Sequence, residues 1–423
     1  MIGGNLERWR PAVRRLPGME PAGWRPGLPR VAADPWLILV VTTLCGLGLV
    51  MVYSASAALS YVGYGTPSHF FVRQALYMVL GLAALLVCAR MDYHSWAGRV
   101  RLLQAGMVIC LLAVLVPHVG VQALGARRWI HAGPIDIQPS VIAQLVVIIA
   151  GAVWLDRCGP EIRSLTRGLL PFVFRLVAVS ALVLLEKDLG STLIVAMIGT
   201  GLLVIAGARI AHLVGLLALG LGAGVLLILA APYRVARALA FLHPFAHPLG
   251  SGFQAVQALY ALGTGGLTGV GLSDSLQRAQ WVPEAHTDFI FAIIGEQLGL
   301  LGSLLVLGLF LALAWRGLRV ARQAPDRLGT LLAGGITVWL VGQAFINIGG
   351  VTDTIPSTGV PLTFVSYGGS SLVLSLAATG ILLNISARGR RLGATIGARR
   401  DHRGRDRRPL HTGDRGGRGP AGD

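Results

Sequence analysis

The run Trp281-Val282-Pro283-Glu284-Ala285-His286-Thr287-Asp288-Phe289-Ile290-Phe291-Ala292 sets an acid, a histidine and a second acid directly against an apolar segment that continues to about residue 315. A segment of that length and hydropathy crosses a bilayer as a helix. The three ionisable residues therefore stand at the mouth of a membrane helix, where a charge is costly unless paired or wet and so marks a functional site. A plain helix start is the competing reading, with Thr287 or Asp288 as N-cap and acid favoured by the helix dipole. Capping accounts for only one of the three.

The rest of the chain has the same character. Hydrophobic residues make up 54% of the 423 and charged residues 13%, a balance no soluble domain keeps in solution. Apolar runs lie at about 36–58, 74–89, 102–116, 140–155, 170–185, 189–205, 210–231, 289–315, 328–348 and 371–385. The sequence thus predicts an all-α polytopic membrane protein of about ten transmembrane helices, with a long extracytoplasmic loop, 232–288, between the seventh and eighth. Residues 35–385 form the membrane domain, flanked by two tails, 1–34 and 386–423, whose Pro, Gly and Arg content predicts disorder. The N-terminal tail lacks the apolar core of a signal peptide. Cys45, Cys88 and Cys110 fall in apolar runs and Cys158 in a charged loop, a spacing that suggests neither a metal site nor disulfides.

Orientation follows from arginine. The net charge of +17 gathers in the tails and in alternate loops, which is a topology signal before it is a nucleic-acid signal. Arg90, Arg99, Arg101, Arg157, Arg163, Arg167, Arg209, Arg316, Arg319, Arg322 and Arg327 share the side of both tails. That side is the cytoplasm, so both termini are expected there, in a bacterial inner membrane. Beside the last helix, anionic lipid is the expected partner of the basic tail rather than RNA.

The opposite face carries Arg127, Arg128, Arg234 and Arg237 against the rule. A phosphate-bearing ligand explains such arginines, as does snorkelling to lipid headgroups. The same face holds Glu186-Lys187-Asp188-Leu189-Gly190, with the chain's single lysine, and Pro356-Ser357-Thr358-Gly359-Val360-Pro361-Leu362 leading to Ser366-Tyr367-Gly368-Gly369-Ser370-Ser371. Cations for a phosphate, carboxylates for proton or metal chemistry and hydroxyl-rich turns add up to a site for an anionic, sugar- or phosphate-bearing lipid. The glycine run from Gly263 to Gly271 lacks the strand–helix setting of a nucleotide loop. It reads either as a place of close backbone approach to substrate or membrane surface or as a flexible linker.

These stretches resemble the shape, elongation, division and sporulation (SEDS) family of FtsW, RodA and SpoVE, membrane-embedded peptidoglycan glycosyltransferases. The resemblance runs from about 36 to 385 and is most specific at Pro283–Phe291, with Ile294-Gly295-Glu296 and Leu298-Gly299, and at Gly359–Leu362 with Ser366–Ser371. Val52-Tyr53-Ser54-Ala55-Ser56 and Phe71-Val72-Arg73-Gln74 favour the FtsW type. The resemblance implies polymerisation of lipid II: the 4-hydroxyl of one lipid-linked disaccharide attacks the anomeric carbon of another, and undecaprenyl pyrophosphate leaves. It makes Asp288 the catalytic acid, acting as base or holding a divalent cation, Mg or Mn. Arg128, Arg234 and Arg237 become pyrophosphate contacts. Lys187, Asp188, His286, Thr287, Glu296, Ser366, Tyr367 and Ser370 become further substrate contacts. His286 either tunes Asp288 or is satisfied within its loop, and Glu296, about 12 Å deeper along the helix, requires a partner or a wet cavity. The implied partners are a class B penicillin-binding transpeptidase and other division or elongation membrane proteins, with no nucleic acid.

Three departures qualify the resemblance. Lys187 stands where proline is usual. Val141 and Gln144 replace an acid and a lysine together, and His243-Pro244 and His247-Pro248 replace aspartate-proline. A precursor flippase and a non-catalytic division or elongation scaffold are the competing functions. The flippase needs polar groups along a transbilayer path, and the scaffold draws on the lost charges at 141 and 144.

Overall fold

The computed structural model describes residues 33–405 apart from 118, 124–125, 134, 247, 251 and 273–283. The side chains of 122–123, 126, 132, 135, 232–233, 237 and 392–405 also lie outside the described set. Seven long helices come first: α1 (Pro35–Tyr64), α2 (His69–Arg90), α3 (His94–Leu115), α4 (Pro139–Cys158), α5 (Leu170–Leu185), α6 (Leu189–Ala206) and α7 (Ile210–Leu229). Short helices α8 (Pro232–Leu242) and α9 (Phe253–Thr264) occupy the long connection. The chain closes with α10 (Ile290–Arg322), α11 (Arg327–Val351) and α12 (Gly369–Arg405). Ten of these are long and apolar enough to span a membrane, and the predicted loop lies between the seventh and eighth spans.

Local chemistry sets the helix ends. Asp34 caps α1 by accepting from Trp36 N at 3.0 Å, with Pro35 at the first helical position, and Gly65 closes the helix in the left-handed region. Asp188 caps α6 by accepting from Ser191 N at 2.9 Å, and Gly207 ends it in the same way. The core lies where α4, α6, α10, α11 and α12 converge, around buried Ile148, Leu202, Phe310, Trp339 and Leu376. By contrast α7 buries no residue at all. Its apolar surface is suited to lipid on every side.

Three features differ from the sequence-based expectation. Residues 118–139 are more than a loop: β1 (Gly120–Ala123), β2 (Ala126–Ala132) and β3 (Ile135–Ile137) pair antiparallel in that order. Val121, Ile130 and Ile137 supply the β-branched residues that such strands favour. The sheet is tied to the helices by Arg73, 3.1 Å from Asp136, and by Ser370, which donates to Asp136 O at 2.7 Å.

The C-terminal tail does not begin at residue 386, because α12 continues to Arg405. Alanine and arginine are good helix formers. Arg388 also pairs with Asp92 at 3.0 Å and Arg390 with buried Asp34 at 3.4 Å, holding the extension against α1 and the α2–α3 turn.

The glycine run is packed rather than a flexible linker, and the backbone that it approaches closely is that of α10. At Gly299, φ +66 and ψ −163 break α10 inside the span, and the run packs into the break. Val270 N and Gly271 N donate to the carbonyls of Glu296 and Gln297 at 3.0 and 3.1 Å. Leu300 N and Leu301 N donate in turn to the carbonyls of Gly266 and Leu267 at 2.9 and 3.2 Å. Backbone groups freed in a membrane helix must find partners in protein, and here a preceding segment supplies them. A Cβ at Gly265 would stand 1.9 Å from Gly295 O, so only glycine allows the approach.

Candidate active site

At one end of the bundle the starts of α4, α6 and α10 meet the 356–371 segment that joins α11 to α12. They enclose a cavity of about 150 Å³ lined by Arg128, Lys187, Asp188, Gln254, Glu284, Asp288 and the Ser357-Thr358-Gly359 turn, among others. Residues far apart in sequence are thus brought together: a strand arginine, the α5–α6 turn, the last residues before α10 and the re-entrant segment.

Asp288 sits in a run of turns from Glu284, whose φ of +54 reverses the chain. Thr287 N and Phe289 N both donate to Glu284 O, at 3.1 and 3.3 Å, and Thr287 Oγ1 donates to Glu284 Oε2 at 3.0 Å. This local ring of bonds satisfies the backbone before the helix begins. Asn347 of α11 then fixes the turn to the re-entrant segment, its Nδ2 donating at 2.7 Å both to Asp288 O and to Val360 O. Ser366 Oγ bridges the same two pieces, donating to Thr287 O and accepting from Leu362 N at 2.8 Å. Tyr367 N donates to His286 O at 2.9 Å. The Asp288 carboxylate lies over Gly359, where an added Cβ would stand 3.4 Å from Oδ2.

On the facing wall, Arg128 donates to the backbone carbonyl of Lys187, which fixes both cations at the rim. Lys187 holds a positive φ of +59, a conformation closed to the proline usual at this place. Asp188 is committed to structure, since besides capping α6 it accepts from Gln138 Nε2 and Ser140 Oγ, each at 3.3 Å. Gly190 allows α6 to approach the re-entrant segment, for a Cβ there would meet Thr358 O at 2.7 Å. Behind this wall Glu186 is 1% exposed, and neither carboxyl oxygen has a hydrogen-bond partner among the described residues. Burial, reinforced by Asp188 and opposed by Arg128, pushes its pKa up to about 8.

Of the expected site residues, Arg128, Lys187, Asp188 and Asp288 line the cavity. The others take different places. Arg234 donates to Leu227 O at 2.8 Å, closing the end of α7. Arg237 lies on α8, and its side chain is outside the described residues. His286 is buried between Phe70 and Tyr367, with ring centroids 4.8 and 5.5 Å away, and burial, opposed by Glu284, lowers its pKa. Burial raises the Tyr367 hydroxyl to about 12. Ser370 accepts from Gln138 N at 3.1 Å and so anchors the sheet to α12. Glu296 is buried beside the α10 break and does not line the cavity. His243 ends α8, whereas His247, like Trp281–Pro283, is outside the described residues.

Sequence reading passed over Gln254 and Asn347, and it placed Glu284, Ser357 and Thr358 in the site's stretches without giving them individual roles. Asn347 carried a signal, an amide inside an apolar span. At the position of the missing charges, Gln144 Oε1 accepts from Trp339 Nε1 at 2.7 Å, the same indole donates to Gln343 Oε1 at 3.1 Å, and Gln343 Nε2 donates to Pro361 O at 3.0 Å. A neutral hydrogen-bonded chain therefore links α4 through α11 to the re-entrant segment, avoiding the desolvation that a buried ion pair suffers.

For a divalent cation the donor set is poor. Among the described residues no group of three His, Cys, Asp or Glu side chains is placed to hold a metal ion; of the cavity's carboxylates Asp188 caps α6 and Glu284 accepts from Thr287, and Arg128 and Lys187 beside Asp288 repel a cation. The arrangement instead suits an anion bound beside a carboxylate base.

Fold and site together define a multi-pass membrane protein with an acid- and cation-lined cavity at one end of its helices. Residues 35–391 match the family model of FtsW, RodA and SpoVE, described as "Cell cycle protein", and the chain belongs to that family. It is 43% identical over 362 residues to stage V sporulation protein E of Bacillus subtilis (strain 168), covering 84% of this chain and 98% of that protein. It is 39% identical over 355 residues to a probable peptidoglycan glycosyltransferase FtsW of Geobacter metallireducens (strain ATCC 53774 / DSM 7210 / GS-15), covering 84% and 95%. A solved chain from work described as "Structural coordination of polymerization and crosslinking by a peptidoglycan synthase complex" superposes with a TM-score of 0.71 at 30% identity, covering 84% of this chain and 98% of that one. Sporulation and division names thus both occur among its relatives.

Proposed function

We propose that this chain is a peptidoglycan glycosyltransferase that polymerises lipid II at the outer face of the cytoplasmic membrane, with both termini in the cytoplasm. The observation that carries the reading is that Asp288, Arg128 and Lys187 line one cavity together. The reaction needs a base within hydrogen-bond reach of the attacking hydroxyl and positive charge at the leaving pyrophosphate. Asp288 takes the proton of the 4-hydroxyl as that oxygen bonds to the anomeric carbon. The bond from that carbon to the pyrophosphate breaks, and Arg128 and Lys187 hold the departing anion. Gln254, Ser357 and Thr358 are placed for sugar hydroxyls. Transport to the other face would require a polar path through the bundle, whereas the cavity is confined to one end. A class B penicillin-binding transpeptidase is the partner that would crosslink the product.

The test is polymerisation of labelled lipid II by the purified protein with its cognate transpeptidase, comparing wild type with Asp288→Ala. Glycan strands from wild type alone support the assignment. Equal product from both removes Asp288 from catalysis, and no product from either folded complex turns the reading toward a scaffold or flippase.

A further inference from the structure

Arg175 lies on α5, five residues past its first residue, in a span at the end of the bundle opposite the cavity. It is exposed, and among the described residues no carboxylate pairs with it. A guanidinium on the outer surface of a membrane helix is costly without a counter-charge. This one is also held in place: its Cζ stacks 3.7 Å above the Trp154 ring, and Nη1 donates to Pro171 O at 2.9 Å, leaving further N–H donors unused. Trp154 Nε1 is covered and has no hydrogen-bond partner among the described residues. From this polar mouth a groove between α3, α4 and α5 continues along the helices, lined by Met107, Val146, Val147, Phe172 and Leu176, with Gln104 of α3 on its wall. Between Trp154 and Val146 the helical rise carries it about 12 Å toward the bundle's middle.

We infer that this groove is a binding site for one anionic glycerophospholipid, with the headgroup phosphate on Arg175 and Gln104 and an acyl chain along the apolar wall. Charge complementarity selects the headgroup. Among the described residues the cation has no counter-ion; it is stacked in one orientation and presents a donor fork that matches a phosphate. The apolar wall selects a lipid over a free anion. The site is separate from the cavity that holds Asp288, so it stands whether or not the proposed reaction is correct.

The full chain is reconstituted in phosphatidylcholine vesicles, and brominated phosphatidylglycerol or brominated phosphatidylcholine is added in steps. Trp154 emission is isolated as the difference between wild type and Trp154→Phe. The anionic lipid is expected to quench that component at a several-fold lower mole fraction than the zwitterionic one. Arg175→Gln should abolish the preference, and so should Ala150→Phe, which fills the groove and leaves the cation in place. Equal quenching of the Trp154 component by the two lipids overturns the inference, and the conservative Trp154→Phe is the one variant that this outcome requires to fold. A preference that survives either substitution also overturns it, since bulk attraction to basic surface would then be the cause. Arg175 would in that case be a snorkelling anchor only.

Discussion

Asn347 carries no charge and touches no substrate, yet its replacement should disable the site. Its Nδ2 is the shared donor for the carbonyls of Asp288 and Val360, both at 2.7 Å, and it is almost fully buried. Asn347→Leu keeps the volume and removes both bonds. At roughly 1 kcal/mol net per bond, more where a carbonyl is left dry, the loss is about 2–4 kcal/mol. That free energy now holds the Asp288 turn against the re-entrant segment, so the carboxylate should drift from Gly359. A displacement on the order of 1 Å at a reacting group lowers turnover by about 100-fold. The assay is lipid II polymerisation at saturating substrate, with thermal unfolding in detergent measured in parallel. We expect kcat to fall by about two orders of magnitude while KM moves little and the protein still folds. Asn347→Asp should be worse, because two carbonyls would face a carboxylate. Turnover within about 2-fold of wild type in a folded Asn347→Leu protein would refute the view that this amide positions Asp288.

Three other outcomes follow from groups elsewhere in the bundle. Glu186 keeps its proton in the folded state up to about pH 8, against an ordinary value of 4.5. The folded chain therefore binds more protons than the unfolded one across that window, and the stability present below pH 4.5 is lost as pH rises through about 8. Glu186→Gln should flatten that slope and unfold at a higher temperature than wild type at pH 8, and identical melting profiles across pH would contradict the assignment. At Gly299, alanine would combine a backbone region almost confined to glycine with a Cβ 2.4 Å from Gly269 N. Gly299→Ala should destabilise the protein by about 3 kcal/mol or more, read as lost monodisperse yield and a lowered melting temperature. Asp34, buried against Arg316 and Arg390, should behave as the anchor of an internal ion cluster. Asp34→Asn would leave two cations unbalanced and lower stability by about 3–5 kcal/mol, with melting unchanged from wild type as the contrary result.

The spans were legible because an apolar run of this length has one outcome in a bilayer, and the arginine-rich loops alternate with them in order. Asp288, Lys187 and Arg128 were legible as members of one face, since antiparallel spans force their loops to one end. What happens within that face was not, because it depends on side-chain direction. Arg234 reads as an anion contact until its guanidinium is seen donating to the Leu227 carbonyl of α7. His286 sits two residues from Asp288 and yet packs into an aromatic box. Asn347 lies 59 residues from Asp288, and nothing local states which carbonyls it serves. The vacancy of charge at Val141 and Gln144 is visible in sequence, but the indole that completes its neutral replacement comes from α11.

The broken span also fixes an order of assembly. Residues 266–271 precede α10 in the chain and supply four backbone hydrogen bonds at its break. The eighth span can therefore reach its final form only once the segment before it has folded back, and the long connection is as much a part of that span as its own residues are. An insertion or affinity tag placed at 263–272 would separate two halves of one structural unit, whereas one placed near Leu249, which is 91% exposed, would leave that unit whole.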